Sequence, residues 1–164
     1  MQRTNAVALA RVVGGRLVVE ECPQSIRECE VLTKNPHPVL VAYLVYVGKM
    51  RVVGPDGREL GLKELVEMFG GKSFWIVFST YLDLRRKGRV PKPGALDNEL
   101  ILERDRLCIY IYEENAPVEP QSLIRIVESS TRRDCTPVIA VVDMYGDVTY
   151  YEVSRMSFPR IERR

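Results

Sequence analysis

Histidine, and lysine in the second half, are what this chain has least of. Its 164 residues include one histidine, His37, and no lysine after Lys92. Cysteine is present four times, as Cys22, Cys29, Cys108 and Cys135, but no Cys-x-x-Cys occurs and His37 is far in sequence from three of the thiols. The ligand spacing of a zinc site is therefore missing, and the sequence implies neither a metal nor a cofactor. Long apolar runs are missing as well. The longest, Val39 to Val47, is nine residues, against about 20 for a membrane-crossing helix. Met1 to Val13 mixes charged and polar groups among its apolar ones and lacks the continuous core of a signal peptide. These absences lead to the expectation of a cytoplasmic protein with no membrane partner. An excess of one charge is also lacking: 24 Lys and Arg face 22 Asp and Glu, a net charge of +2, so the average does not mark a nucleic-acid binder.

What is present is an ordinary globular composition, 46% apolar and 28% charged, long enough to bury the core of one domain or two small ones. The bases are clustered. Arg85, Arg86, Lys87, Arg89 and Lys92 fall within eight positions, and Arg155, Arg160, Arg163 and Arg164 crowd the tail. Such clusters either follow a phosphate backbone or complement a helix C-terminus and solvate a chain end. Four cysteines in a reducing cytosol read as free, buried thiols, with Cys29 and Cys108 in strand-like segments. In a hyperthermophile the alternative is intracellular disulfides, for which Cys22 with Cys29 and Cys108 with Cys135 are the candidate pairs.

Periodicity predicts short strands over Ala6 to Val13 and Arg16 to Glu20 around Gly14-Gly15, and another strand around Ile26 to Leu32. A helix is expected to open at Pro38 and close at Gly48, since proline suits a first turn and glycine a C-terminal one. His37 then stands at a helix start, a structural position. Gly54-Pro55-Asp56-Gly57 is a turn between Met50–Val53 and Arg58–Leu60. Leu62, Leu65, Val66 and Phe69 mark a second helix, stopped by Gly70-Gly71, and Phe74, Val77, Phe78, Tyr81 and Leu84 a third over 73–87. The doubly proline-bearing stretch Gly88 to Gly94 reads as a linker. Strands near Glu99–Leu102 and Leu107–Tyr112, a helix from Pro120 to Arg133 and a final hairpin follow. The fold class is α+β: a small N-terminal α+β domain over 1–88, then a mixed α/β domain over 89–164 ending in a β-hairpin.

That hairpin, TPVIAVVDMYGDVTYYEV at 136–153, is the most informative segment. Val138 to Val142 fits a doubly buried strand, Asp143-Met144-Tyr145-Gly146-Asp147 supplies the turn, and Val148, Tyr150 and Glu152 alternate with Thr149, Tyr151 and Val153 on the return. Together with YLDLRRKGRV at 81–90, it resembles the C-terminal end of the archaeal tRNA-splicing endonucleases. VLVAYLVYVGKMRVVGPDGRELGLKELVEMF in the first half and KPGALDNELIL in the second are similar to further parts of that family. In the second of these, the family's Phe-Gly pair is replaced by Leu96-Asp97.

The resemblance implies metal-independent RNA cleavage to a 2′,3′-cyclic phosphate. Active members use a tyrosine base, a histidine acid and a lysine that stabilises the phosphorane, because one proton must leave and another arrive while charge grows on phosphorus. The matching stretches here hold Glu103, Arg104 or Asp105, and Arg132 to Cys135. With no histidine after His37 and no lysine after Lys92, the acid and the lysine are missing, and no catalytic residue is assigned. The resemblance is then to the non-catalytic structural subunit of crenarchaeal-type heterotetramers. It implies a catalytic endonuclease subunit as partner, two chains of each kind, and precursor tRNA as ligand. The implied subunit interface comprises Asp143, Met144, Tyr145, Gly146, Asp147, Val148, Tyr150, Tyr151, Glu152 and Val153: an edge strand that pairs across a twofold axis, and a turn that plugs a partner cleft. In the plainer reading of the same residues, Tyr150 and Tyr151 fill core and the two aspartates are solvated. The implied RNA contacts are Arg132, Arg133 and Arg155, gripping extruded bases. Two alternatives stay open. One is a stand-alone divergent nuclease using Tyr110 or Tyr112 with Arg104 or Arg132, although arginine is no useful acid near neutrality. The other is an RNA- or protein-binding module without a nuclease partner. A metal nuclease of the Asp…Glu-x-Lys type lacks its lysine.

Overall fold

The computed structural model describes residues 7–156. Ala6, at the start of the first expected strand, and Arg160, Arg163 and Arg164 of the basic tail lie outside the described residues. The chain divides into two compact units, Met1–Leu82 and Asp83–Arg164, and both combine helices with a sheet, so the fold is α+β.

In the first unit, β1 (Ala8–Val13) and β2 (Arg16–Glu21) form an antiparallel hairpin. Gly14 and Gly15 both have positive φ, the conformation of a tight two-residue turn. β3 (Met50–Val53) lies parallel to β1, giving the sheet order β2-β1-β3. The region expected as a strand around Ile26 to Leu32 is instead a turn leading into the short helix α1 (Cys29–Leu32), whose Leu32 amide donates to the Glu28 carbonyl at 3.0 Å. The cause is the Cys22–Cys29 disulfide, which holds Cα atoms seven residues apart at 5.6 Å. An extended chain would carry them roughly 23 Å apart.

Helix α2 (Pro38–Tyr46) buries six consecutive residues, Val39 to Leu44, and packs against β3 and α3 (Leu62–Phe69). An apolar helix without a polar face belongs at the centre of its unit. His37 caps it, its Nδ1 accepting from the Val39 amide at 3.3 Å, and Gly48 closes it with φ of +70°. Helix α4 runs Phe74–Arg86.

The second unit is built on a five-stranded sheet of order β4-β5-β6-β7-β8. Its members are β4 (Lys92–Pro93), β5 (Glu99–Leu102), β6 (Leu107–Glu113), β7 (Thr136–Val142) and β8 (Val148–Glu152). All pairings are antiparallel except β6 with β7, which are parallel and joined by α5 (Pro120–Arg132). A parallel pair needs such a crossover. Lys92–Pro93, expected as linker, pairs with Leu100 and Ile101 at the sheet edge, where proline's missing donor is tolerated.

One sheet face carries Cys108 and Tyr110, packed with Ile126 of α5, Tyr112 and Cys135. On the other face Leu100, Ile109, Ile111, Val138, Ala140 and Val142 are all buried. The expectation of free thiols is corrected. Both candidate pairs are disulfides, and no free cysteine remains among the described residues. No helix among those residues is long and apolar enough to cross a membrane.

Candidate functional site

The chemistry-bearing residues of the second unit gather where β5 and β8 end and β6 and β7 begin. A groove of about 590 Å³ opens there, lined by Asp105 and Arg106 of the β5–β6 turn, Val127 and Thr131 of α5, Asp134 to Pro137, and Glu152 to Arg155. The four-residue β5–β6 turn is pinned by ion pairs. Glu103 meets Lys92 at 2.7 Å, Asp105 meets Arg89, and Arg106 meets Asp134 across the groove. Arg106 and Asp134 both take positive φ, which non-glycine residues hold only where surrounding contacts fix them. Here the Thr136 amide donates to the Arg106 carbonyl at 2.7 Å, and Arg106 Nε to the Asp134 carbonyl at 3.3 Å.

Behind this lies a buried polar hub that sequence reasoning missed. The Glu99 side chain is 1% exposed, and its carboxylate receives Arg133 on one oxygen and the Ala95 and Leu96 amides, at 2.9 and 3.3 Å, on the other. Arg133 also donates to the Tyr110 hydroxyl at 2.5 Å, and that hydroxyl lies 3.2 Å from Ser130 Oγ. Glu99 holds the Arg133 guanidinium above its ordinary pKa, against the opposing pull of burial. A Cβ on Gly94 would collide with the Glu99 side chain, so the approach to β5 requires glycine. The available signal was a lone acid opening an apolar strand, Glu-Leu-Ile-Leu; a buried charge demands partners.

The expected site residues separate in space and role. Arg132 and Arg155 are exposed, and Arg155 lines the groove, whereas Arg133 is engaged by Glu99 and Tyr110. Arg104 is exposed. Tyr110, offered as an alternative base, is 2% exposed and hydrogen-bonded, and burial raises the pKa of Tyr112. Of the basic cluster at 85–92, Lys87 pairs with Asp83, Arg89 with Asp105 and Lys92 with Glu103, so those charges serve the fold.

In the hairpin, β8 is the outer strand of its sheet. Tyr150 points its hydroxyl to Asp83 at 2.6 Å, with Lys87 Nζ 5.2 Å from its ring centre, while Tyr151 is exposed. The turn is rigid because Asp143 Oδ1 accepts the Tyr145 and Asp147 amides at 2.8 and 2.9 Å and Gly146 supplies φ of +86°. Asp143 thus spends one oxygen inside the turn, and Asp147 stays exposed. The tip is apolar: Met144 and Tyr145 are 83% and 81% exposed.

A mixed sheet crossed by one helix, closed by a hairpin and carrying a charged groove at the strand ends, defines a nuclease-type α+β domain. Residues 74–150 match the model of the tRNA intron endonuclease, catalytic C-terminal domain. The chain is 28% identical over 129 residues to the tRNA-splicing endonuclease of Methanococcoides burtonii, covering 73% of this chain and 36% of that one. It is 28% identical to that of Thermococcus kodakarensis (71% and 74% covered) and 29% identical to that of Thermococcus onnurineus (71% and 73%). Over residues 74–150 the chain is thus similar to the catalytic domain of the tRNA-splicing endonucleases. It spans about a third of the length of the Methanococcoides relative.

Proposed function

We propose that this chain is the structural, non-catalytic subunit of a tRNA-intron endonuclease, assembling with a separate catalytic chain in a two-plus-two complex and helping to grip the bulge-helix-bulge of precursor tRNA. The observation that carries the reading is the groove. Where the resemblance puts a base, an acid and a charge-stabilising lysine, this chain has a salt-bridged turn and the Arg106–Asp134 pair. A second histidine and any lysine beyond Lys92 are missing from the sequence. Proton transfer to a departing ribose oxygen needs a group that titrates near the working pH, and arginine does not.

Two features support assembly. The outer edge of β8 leaves ladder groups unpaired within this sheet, a ready template for a partner strand. The turn presents Met144, Tyr145 and Asp147 on a preorganised backbone, which lowers the ordering cost of docking. Arg132, Arg133 and Arg155 are the exposed arginines assigned to RNA, Arg133 being held by Glu99 and Tyr110.

The test is to incubate the purified chain with a bulge-helix-bulge RNA in chelator, alone and with a catalytic relative. Cleavage is expected only in the mixture. Cleavage by this chain alone overturns the structural role, and failure of the two chains to form a complex overturns the assembly.

A further inference from the structure

The Cys108–Cys135 disulfide joins the wall of the groove to the core, and its two ends differ in access. Cys135 is half-buried and lines the groove of about 590 Å³ between Asp134 and Thr136. Cys108 is 1% exposed and belongs with Tyr110 and Ile126 to the core cluster on which Cys135 packs. A thiolate opens a disulfide by attacking whichever sulfur it can reach. Here the open approach is from the groove, towards Cys135.

The connection that carries Cys135 from α5 into β7 is held residue by residue. Arg133 donates to Glu99 and to the Tyr110 hydroxyl, and Asp134 pairs with Arg106. The Cys135 amide donates to the Ser130 carbonyl at 3.0 Å, and the Thr136 amide to the Arg106 carbonyl at 2.7 Å. The disulfide is the covalent member of this set, and the others do not depend on it chemically. Opening the S–S bond therefore leaves the groove wall with its ion pairs and amide bonds but without its tether to β6.

We propose that Cys135 is a site of thiol–disulfide exchange in the folded chain, taking a low-molecular-weight thiol that enters through the groove. The incoming thiol gives its proton to water, and its thiolate attacks Cys135 Sγ. A new S–S bond forms there while the Cys108–Cys135 bond breaks, and Cys108 leaves with the electron pair and takes up a proton. A second thiol then attacks the reagent-derived sulfur of the mixed disulfide and releases the Cys135 thiol. In sum, two thiols are oxidised to one small disulfide while the protein disulfide is reduced to two thiols. The groove wall so alternates between a tethered and an untethered form according to the thiol supply. Neither RNA nor a partner chain enters this step, so it stands apart from the proposed subunit role.

The full-length oxidised chain is incubated with excess 2-mercaptoethanol in buffer and, separately, in denaturant. Reactions are quenched with acid, and mass spectrometry of acid-stable digests locates the adducts. In buffer the adduct is expected on Cys135 and not on Cys108; in denaturant, where both sulfurs are open, on both. T131W, which places a large ring on the groove wall, should slow the Cys135 adduct severalfold in buffer and leave the rate in denaturant unchanged. V153W is a second block from the β8 end of the groove, and circular dichroism confirms that each variant is folded. Absence of an adduct in buffer overturns the proposal. So do adducts shared equally between Cys108 and Cys135, which mark exchange through the unfolded chain, and so does an unchanged rate in a folded groove-blocking variant.

Discussion

Glu99 ties together residues distant in sequence: it receives two amides from the approach to its own strand and a guanidinium from the end of α5. Removing it strands Arg133 and two amides, so E99A should cost about 3–5 kcal/mol in urea denaturation. E99A and R133A together should cost clearly less than their sum, because they break one network. The Tyr150–Asp83 contact sets two limbs of a pH profile. Burial pushes the Asp83 pKa up, but hydrogen bonds from Lys87 and Tyr150 outweigh it and hold the carboxyl below its ordinary value. Its contribution is complete above the unfolded value of about 3.9 and is lost as pH falls through the folded one. Tyr150 moves the other way: burial, then Asp83, raise its pKa. Its contribution is complete below about 10 and is lost as pH rises beyond that. Y150F should cost about 1–2 kcal/mol at neutral pH, remove the alkaline limb and shrink the acid one, as measured by denaturation across pH.

Disulfides act at the scale of elements. Cys108–Cys135 joins β6 to the segment entering β7 across 27 residues, while Cys22–Cys29 spans seven. Loop-closure entropy makes the first worth about 3.5 kcal/mol and the second about 2.5. C108S should therefore lower the denaturation midpoint more than C22S, and reductant should leave C108S/C135S less affected than the parent. The elements themselves were largely legible. The proline that opens α2, the Gly14-Gly15 turn and the alternation in β8 each name their structure locally. Two elements were not. α1 replaced an expected strand because a disulfide closes that loop, and β4 was hidden in a proline-rich stretch that owes its pairing to β5.

Across the whole molecule, the largest exposed apolar groups of the second unit sit at one hairpin tip. M144A/Y145A should leave the stability of the isolated chain within about 0.5 kcal/mol, yet weaken complex formation with a catalytic relative by about 2 kcal/mol or more, measured by sedimentation. Weakening that persists at high salt would mark the contact as apolar, since an acidic plug loses strength as salt rises.

The sequence by itself determined the α+β class, the hairpin, the similarity to tRNA-splicing endonucleases and the absence of a second histidine and of any lysine beyond Lys92, because these depend on local periodicity, turn chemistry and residue identity. Only the tertiary structure decided which charges are spent inside the fold. The cluster at 85–92 reads as a cationic stripe along the chain, but its acidic partners Asp83, Glu103 and Asp105 arrive through helix and sheet geometry. Arg133 turns inward to Glu99 for the same reason: a buried carboxylate must be paired, and the nearest guanidinium in space is 34 residues away in the chain.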